Sequence, residues 1–62
     1  MDILNWVGKN INEVKETLLY KQYFTSIALE KGTDVYFLFN RLLGIDLILN
    51  ESYDIKSIHL YS

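Results

Sequence analysis

The sequence predicts an α+β fold, an N-terminal helix packed on a four-stranded antiparallel β-meander, in a single domain of residues 1–62. Three observations lead there. Ile11, Val14 and Leu18 recur at helical spacing, with Lys15 and Glu16 on the other side. From Gln22 onward the pattern changes to β-branched and aromatic residues broken by turn formers. The breaks between successive apolar runs are short, which favours antiparallel neighbours over crossovers.

In chain order, Asp2 is placed to cap a short helical turn from Ile3 to Val7 that stops at Gly8. Asn10 followed by Glu13 has the spacing of a capping box, and a helix is expected from Ile11 to Tyr20. Four strands follow: Tyr23 to Leu29, Thr33 to Phe39, Ile45 to Leu49 and Ile55 to Tyr61. Glu30-Lys31-Gly32 suits a three-residue hairpin loop with Gly32 in the left-handed position. Asn40 to Gly44 and Asn50 to Asp54 are longer loops.

A one-residue slip would turn every side chain of a strand over, so the apolar pattern constrains register. Leu47 opposite Ile58 and Ile45 opposite Leu60 share one face, which sets Asp46 opposite His59 on the other. One hairpin earlier, Phe39 is expected opposite Ile45, Phe37 opposite Leu47 and Val35 opposite Leu49. Across the Gly32 loop, Ile27 is expected opposite Val35 and Thr25 opposite Phe37. The core face then holds Ile27, Leu29, Val35, Phe37, Phe39, Ile45, Leu47, Leu49, Ile58 and Leu60, covered by Trp6 and the helix stripe. The opposite face should be polar if it met only water. It instead holds Phe24, Tyr36, Leu38, Ile48 and Tyr61 beside Ser26, Asp46, Ser57 and His59. Such a surplus apolar face marks an interaction surface, unless a different register in the first hairpin or the first segment covers it.

Composition narrows the function. A domain this small buries only ~60% of its unfolded surface and usually needs a staple. With no cysteine, disulfides, thiolate zinc sites and cysteine nucleophiles are excluded, and one histidine cannot form a two-histidine metal site. Half the residues are hydrophobic, including three Phe, five Tyr and one Trp, so association with a second chain is the expected staple. The net charge of −2 and the scatter of Lys9, Lys15, Lys21, Lys31, Arg41 and Lys56 argue against nucleic acid. No apolar run approaches the ~20 residues of a membrane span, and the start lacks a signal-peptide pattern, so a cytoplasmic protein is expected.

Catalytic constellations are weak. Ser57, His59 and Asp46 share a strand face, but alternation alone produces that, and the cross-strand pair is ordinary sheet stabilisation of ~0.2–1 kcal/mol. Asp34, Asp46, Glu51 and Asp54 supply carboxylates for glycoside chemistry, yet Glu51 and Asp54 sit where turn formers are expected. The Asn50 to Asp54 loop lacks the spacing and glycine of a calcium loop, and Gly8, Gly32 and Gly44 stand alone, without a phosphate loop. No enzyme, cofactor or metal is expected.

Several strings taken together are informative: Val7-Gly8-Lys9-Asn10, Ile11-x-x-Val14 with Leu18, and Lys31-Gly32-Thr33-Asp34-Val35-Tyr36-Phe37, followed by Gly44-Ile45-Asp46-Leu47-Ile48-Leu49 and Ser57-Ile58-His59-Leu60-Tyr61-Ser62. The chain resembles small bacterial immunity-type proteins of polymorphic and contact-dependent toxin systems, and is similar to one repeat of the β-lactamase-inhibitor-protein-like α/β fold. The resemblance implies a non-enzymatic inhibitor that binds and blocks a cognate toxin. Relatives of this type often continue into a second unit after the final Leu-Tyr. A minimal version, or one completed by a partner, is therefore expected.

The expected partner-binding residues are Phe24, Tyr36, Leu38, Asp46, Ile48, Glu51, Tyr53, Asp54, His59 and Tyr61. Glu51, Tyr53 and Asp54 supply an acidic loop with an aromatic anchor, a residue type favoured at binding hot spots. The alternative expectation is a homo-oligomeric scaffold or adaptor that pairs through the exposed sheet face.

Overall fold

A computed structural model describes residues 3–61. It is an α+β fold with two short helices before a four-stranded antiparallel meander, strands in sequence order. Asp2, the expected first cap, and Ser62 lie outside the described residues.

A 3-10 turn, Ile3–Trp6, comes first. Positions three apart eclipse in such a turn, so Ile3 and Trp6 both enter the core. Gly8, at φ 91°, redirects the chain. The next residues run along the edge of the sheet, where Gly8 N donates to Ile55 O at 2.7 Å and Ile55 N to Lys9 O at 2.8 Å. Ile11 N donates to Tyr53 O, and Asn10 forms an isolated antiparallel bridge with Asp54. This strap was not foreseen from the sequence.

The single expected helix is two, α1 (Ile11–Val14) and α2 (Leu18–Tyr23). Asn10 caps α1, its side-chain oxygen accepting from Asn12 N at 3.0 Å. Thr17 causes the break. Its backbone is extended, and its hydroxyl donates to Val14 O while accepting from Tyr20 N, the bonding of an N-cap. The break rotates the apolar stripe: Val14 is buried, Leu18 is 83% exposed, and Leu19, Tyr20 and Tyr23 pack on the core instead.

The expected strand Tyr23 to Leu29 is not formed. Tyr23 ends α2, Phe24 is its C-cap, and the chain turns through residues 25–29 before a two-residue strand, β1 (Glu30–Lys31). The helix extends through Tyr23 because Tyr20 and Phe24, one turn apart, stack at 5.7 Å and both rings meet Trp6, at 6.3 and 6.0 Å. Strand propensity yields to this packing.

The remaining strands are β2 (Tyr36–Asn40), β3 (Ile45–Leu49) and β4 (Ile55–Leu60). The β3–β4 register matches the sequence expectation, with Ile45 opposite Leu60, Asp46 opposite His59 and Leu47 opposite Ile58. A bulge then makes Lys56 the extra residue and sets Ile55, fully buried, opposite Leu49. The β2–β3 register differs by one residue: Asn40 faces Ile45, Leu38 faces Leu47 and Tyr36 faces Leu49. The first hairpin differs more, pairing Glu30 with Phe37 and Lys31 with Tyr36. Its turn is closed by Gly32 N donating to Val35 O, and Asp34 rather than Gly32 takes the left-handed backbone, φ 62°.

Asn40 explains the one-residue shift. It belongs to the strand, so the loop to Ile45 is only residues 41–44, closed by Gly44 N donating to Asn40 O. Its buried side chain accepts from Leu43 N at 3.0 Å and donates to Tyr23 O at 2.7 Å. Gly44 completes the loop at φ 70°, with the Tyr61 carbonyl occupying the space a Cβ would need.

Asn40→Ala should therefore cost about 2–3 kcal/mol in urea denaturation, since it strips two buried backbone groups of their partners. A loss below about 0.5 kcal/mol would show that the side chain does not hold this turn.

Candidate functional site

The two faces of the sheet follow from this register. Leu38, Asn40, Ile45, Leu47, Leu49 and Ile55 are buried beneath the helices, with Ile3, Trp6, Val14 and Phe24. Phe37, Phe39, Asp46, Ile48, Ser57 and His59 point to the other side by strand alternation. That outer face keeps an apolar centre, though not the one expected from the sequence.

Two expected binding residues belong to the core. Phe24 is 0% and Leu38 2% exposed. Leu38 turned inward because Asn40, not Phe39, faces Ile45, and Phe24 because residue 24 caps a helix. Tyr36 also lies on the inner side, opposite Leu49, with its ring 4.8 Å from that of Tyr53. Asp46, Ile48 and His59 are on the outer face as expected.

Phe37 and Phe39 take the vacated places. Sequence periodicity could not separate them from Leu38, because Tyr36-Phe37-Leu38-Phe39 is apolar at every position and carries no alternation. The available signal was Asn40 with Gly44, a polar turn-former at the strand end followed by a left-handed position. The two phenyl rings stack at 5.1 Å, 15° from parallel, and the Arg41 guanidinium lies 5.2 Å from the Phe39 ring centre. Across the strands, Phe37 faces Ile48 and Phe39 faces Asp46.

Asp46 sits on the outer face between its cross-strand neighbours. Its Oδ1 is buried without a hydrogen-bond partner, flanked across the strands by Phe39 and His59. The expected ion pair with His59 is absent among the described residues, where Lys21 and Glu16, at 3.8 Å, form the one ion pair. Register thus juxtaposes the carboxylate and the imidazole without bonding them. Ser57 faces Ile48 one position further along, so no relay joins the three side chains.

The acidic loop divides into structural and exposed parts. Asp54 is occupied internally, its two oxygens accepting from Asn10 Nδ2 at 3.0 Å and Asn50 Nδ2 at 3.4 Å. Asn50 Oδ1 accepts from Ser52 N and Asp54 N, which closes the loop and carries Tyr53 at φ 67°. Glu51 is exposed and Tyr53 is 37% exposed. Tyr61, after β4, lies away from these residues, beside Leu60 and Leu4 in a shallow groove at the other end of the sheet.

Among the described residues, no three His, Cys, Asp or Glu side chains gather closely enough to hold a metal ion. No helix among them is long and apolar enough to cross a membrane. No protein-family model, curated protein or solved structure matches the chain.

Replacing Asp46 by Thr should raise stability by about 1 kcal/mol, by removing an unpaired buried acceptor and adding a strand-favouring side chain. Equilibrium unfolding in urea measures this. A destabilised variant would mean that the carboxylate is satisfied in solution.

Proposed function

We propose that this chain is a non-enzymatic binding protein that blocks a protein partner through the outer face of its sheet, the partner being the cognate toxin implied by the sequence resemblance. One observation carries the proposal. Phe37, Phe39 and Ile48 lie side by side on the sheet face opposite the helices. In an unpartnered antiparallel sheet these positions would hold polar side chains. An aromatic centre with Arg41, Asp46 and His59 around it has the layout of a binding surface, apolar at the middle and charged at the rim.

Removing such area from water yields ~25 cal/mol per Å². For a domain with only nine buried hydrophobic residues among those described, that gain is large relative to its own stability. Occlusion needs nothing more from the binder than surface complementarity.

A pair of substitutions tests the proposal. Phe39→Lys keeps the register compatible, since a lysine there faces Asp46, and it removes the central ring. The variant should remain folded by circular dichroism and lose co-purification with a toxin encoded beside this chain's own gene. Leu38→Asp, one residue away, should unfold the chain, costing about 4 kcal/mol or more by burying an unpaired charge. Sedimentation of the chain alone separates toxin blocking from self-pairing: a wild-type dimer broken by Phe39→Lys would replace the toxin reading. A Phe39→Lys variant that still binds would remove the outer face from consideration.

A further inference from the structure

A second concavity lies on the helix side of the sheet, independent of the outer face. The break at Thr17 leaves α1 only one turn long, and the chain after α2 runs through residues 25–29 to the edge strand β1 without regular structure. Between these two segments the helical layer is incomplete. The resulting cleft holds about 310 Å³ and reaches down to Leu38 and Leu49. Ile11 stands on one wall and Ile27 on the other, both half-buried. The volume is at the lower end of the ~300–1,000 Å³ typical of small-molecule sites, and so is its pattern of apolar floor with few polar groups.

The polar groups have one sign. Lys15 is the sole charged side chain of the lining, in a chain whose eight acids outnumber its basic residues. No ion pair among the described residues uses it. Tyr20 and Tyr53 border the same space, the Tyr53 hydroxyl being hydrogen-bonded to Tyr36. Burial pushes the Tyr20 phenol above its ordinary value, and its hydroxyl, protonated at neutral pH like that of any tyrosine, can donate a hydrogen bond. Tyr53 is held there by a left-handed backbone that a tyrosine rarely adopts, at a cost that the Asn50 and Asp54 hydrogen bonds sustain.

We infer that this cleft binds a small amphipathic carboxylate, its hydrocarbon part lying on Leu38 and Leu49 and its carboxylate meeting the Lys15 ammonium and the Tyr20 hydroxyl. A neutral apolar molecule would leave the ammonium unused. A cation would meet Lys15 without a compensating acid in the lining.

Octanoate and the neutral octanol are the probes, titrated into the isotopically labelled full chain and followed by amide NMR shifts. Octanoate should bind saturably in the millimolar range or tighter, moving Ile27, Leu29 and Tyr53, and about fivefold more tightly than octanol, as befits one charge-assisted contact at a solvated rim. Lys15→Met should abolish that difference by removing the ammonium that octanoate alone uses. Ile27→Trp should fill the cleft and weaken both ligands. Failure to saturate, shifts centred on Phe37 and Phe39, or an octanoate preference that survives Lys15→Met would each overturn the inference. The shifts that support the inference lie on the helix side of the sheet, so this test stands apart from that of toxin binding.

Discussion

Asn40 holds three parts of the molecule in relation. Through its backbone it closes the loop from β2 to β3, through its carboxamide oxygen it secures that loop at Leu43, and through its amide nitrogen it ties the sheet to the end of α2 at Tyr23. A buried carboxamide with both ends satisfied defines geometry more sharply than an apolar side chain, because any slip strands polar groups away from water. Moving the pairing by one residue would bury Phe37 and Phe39 and expel Leu38. The location of every outer-face side chain on β2 therefore depends on this residue.

The parts of the fold legible in the sequence are those where apolar and polar residues alternate unambiguously. Ile45-x-Leu47-x-Leu49 against Ile58-x-Leu60 permits one sensible register, and the structure has it. In β2 four consecutive apolar residues satisfy either register, so hydrophobicity is silent and turn chemistry decides. The segment from Tyr23 to Leu29 is β-branched and aromatic, yet its course is set by Phe24 docking on Trp6 and Tyr20, a tertiary event with no local signature. The candidate surface was legible in the same proportion. Asp46, Ile48 and His59 were placed by the readable hairpin, whereas Phe24, Tyr36 and Leu38 depended on the two that were not.

In this chain the described helical segments do not close both sides of the four-stranded sheet. Its helical segments cover the inner face incompletely, which produces the cleft over Leu38 and Leu49, and they leave the outer face to its own aromatic stack. Both features arise from the same shortage of covering structure. They differ in depth and in charge: the cleft reaches the core beside a lysine, and the outer face is broad, with an orphaned carboxylate oxygen next to its rings.

The strap formed by residues 8–11 against residues 53–55 has consequences for how the molecule assembles. Its side-chain bond from Asn10 to Asp54 joins positions 44 apart in the chain. The β2–β3 and β3–β4 hairpins close over short distances and need no such loop, so they are the natural first structures. Fastening the early residues onto β4 then closes most of the chain into one loop, at an entropic cost that rises only slowly with length. The strap also occupies the backbone groups of Ile55 that would otherwise face a neighbouring chain at the sheet edge. During the interval before it docks, that end of β4 is open, and pairing with another chain there competes with the strap.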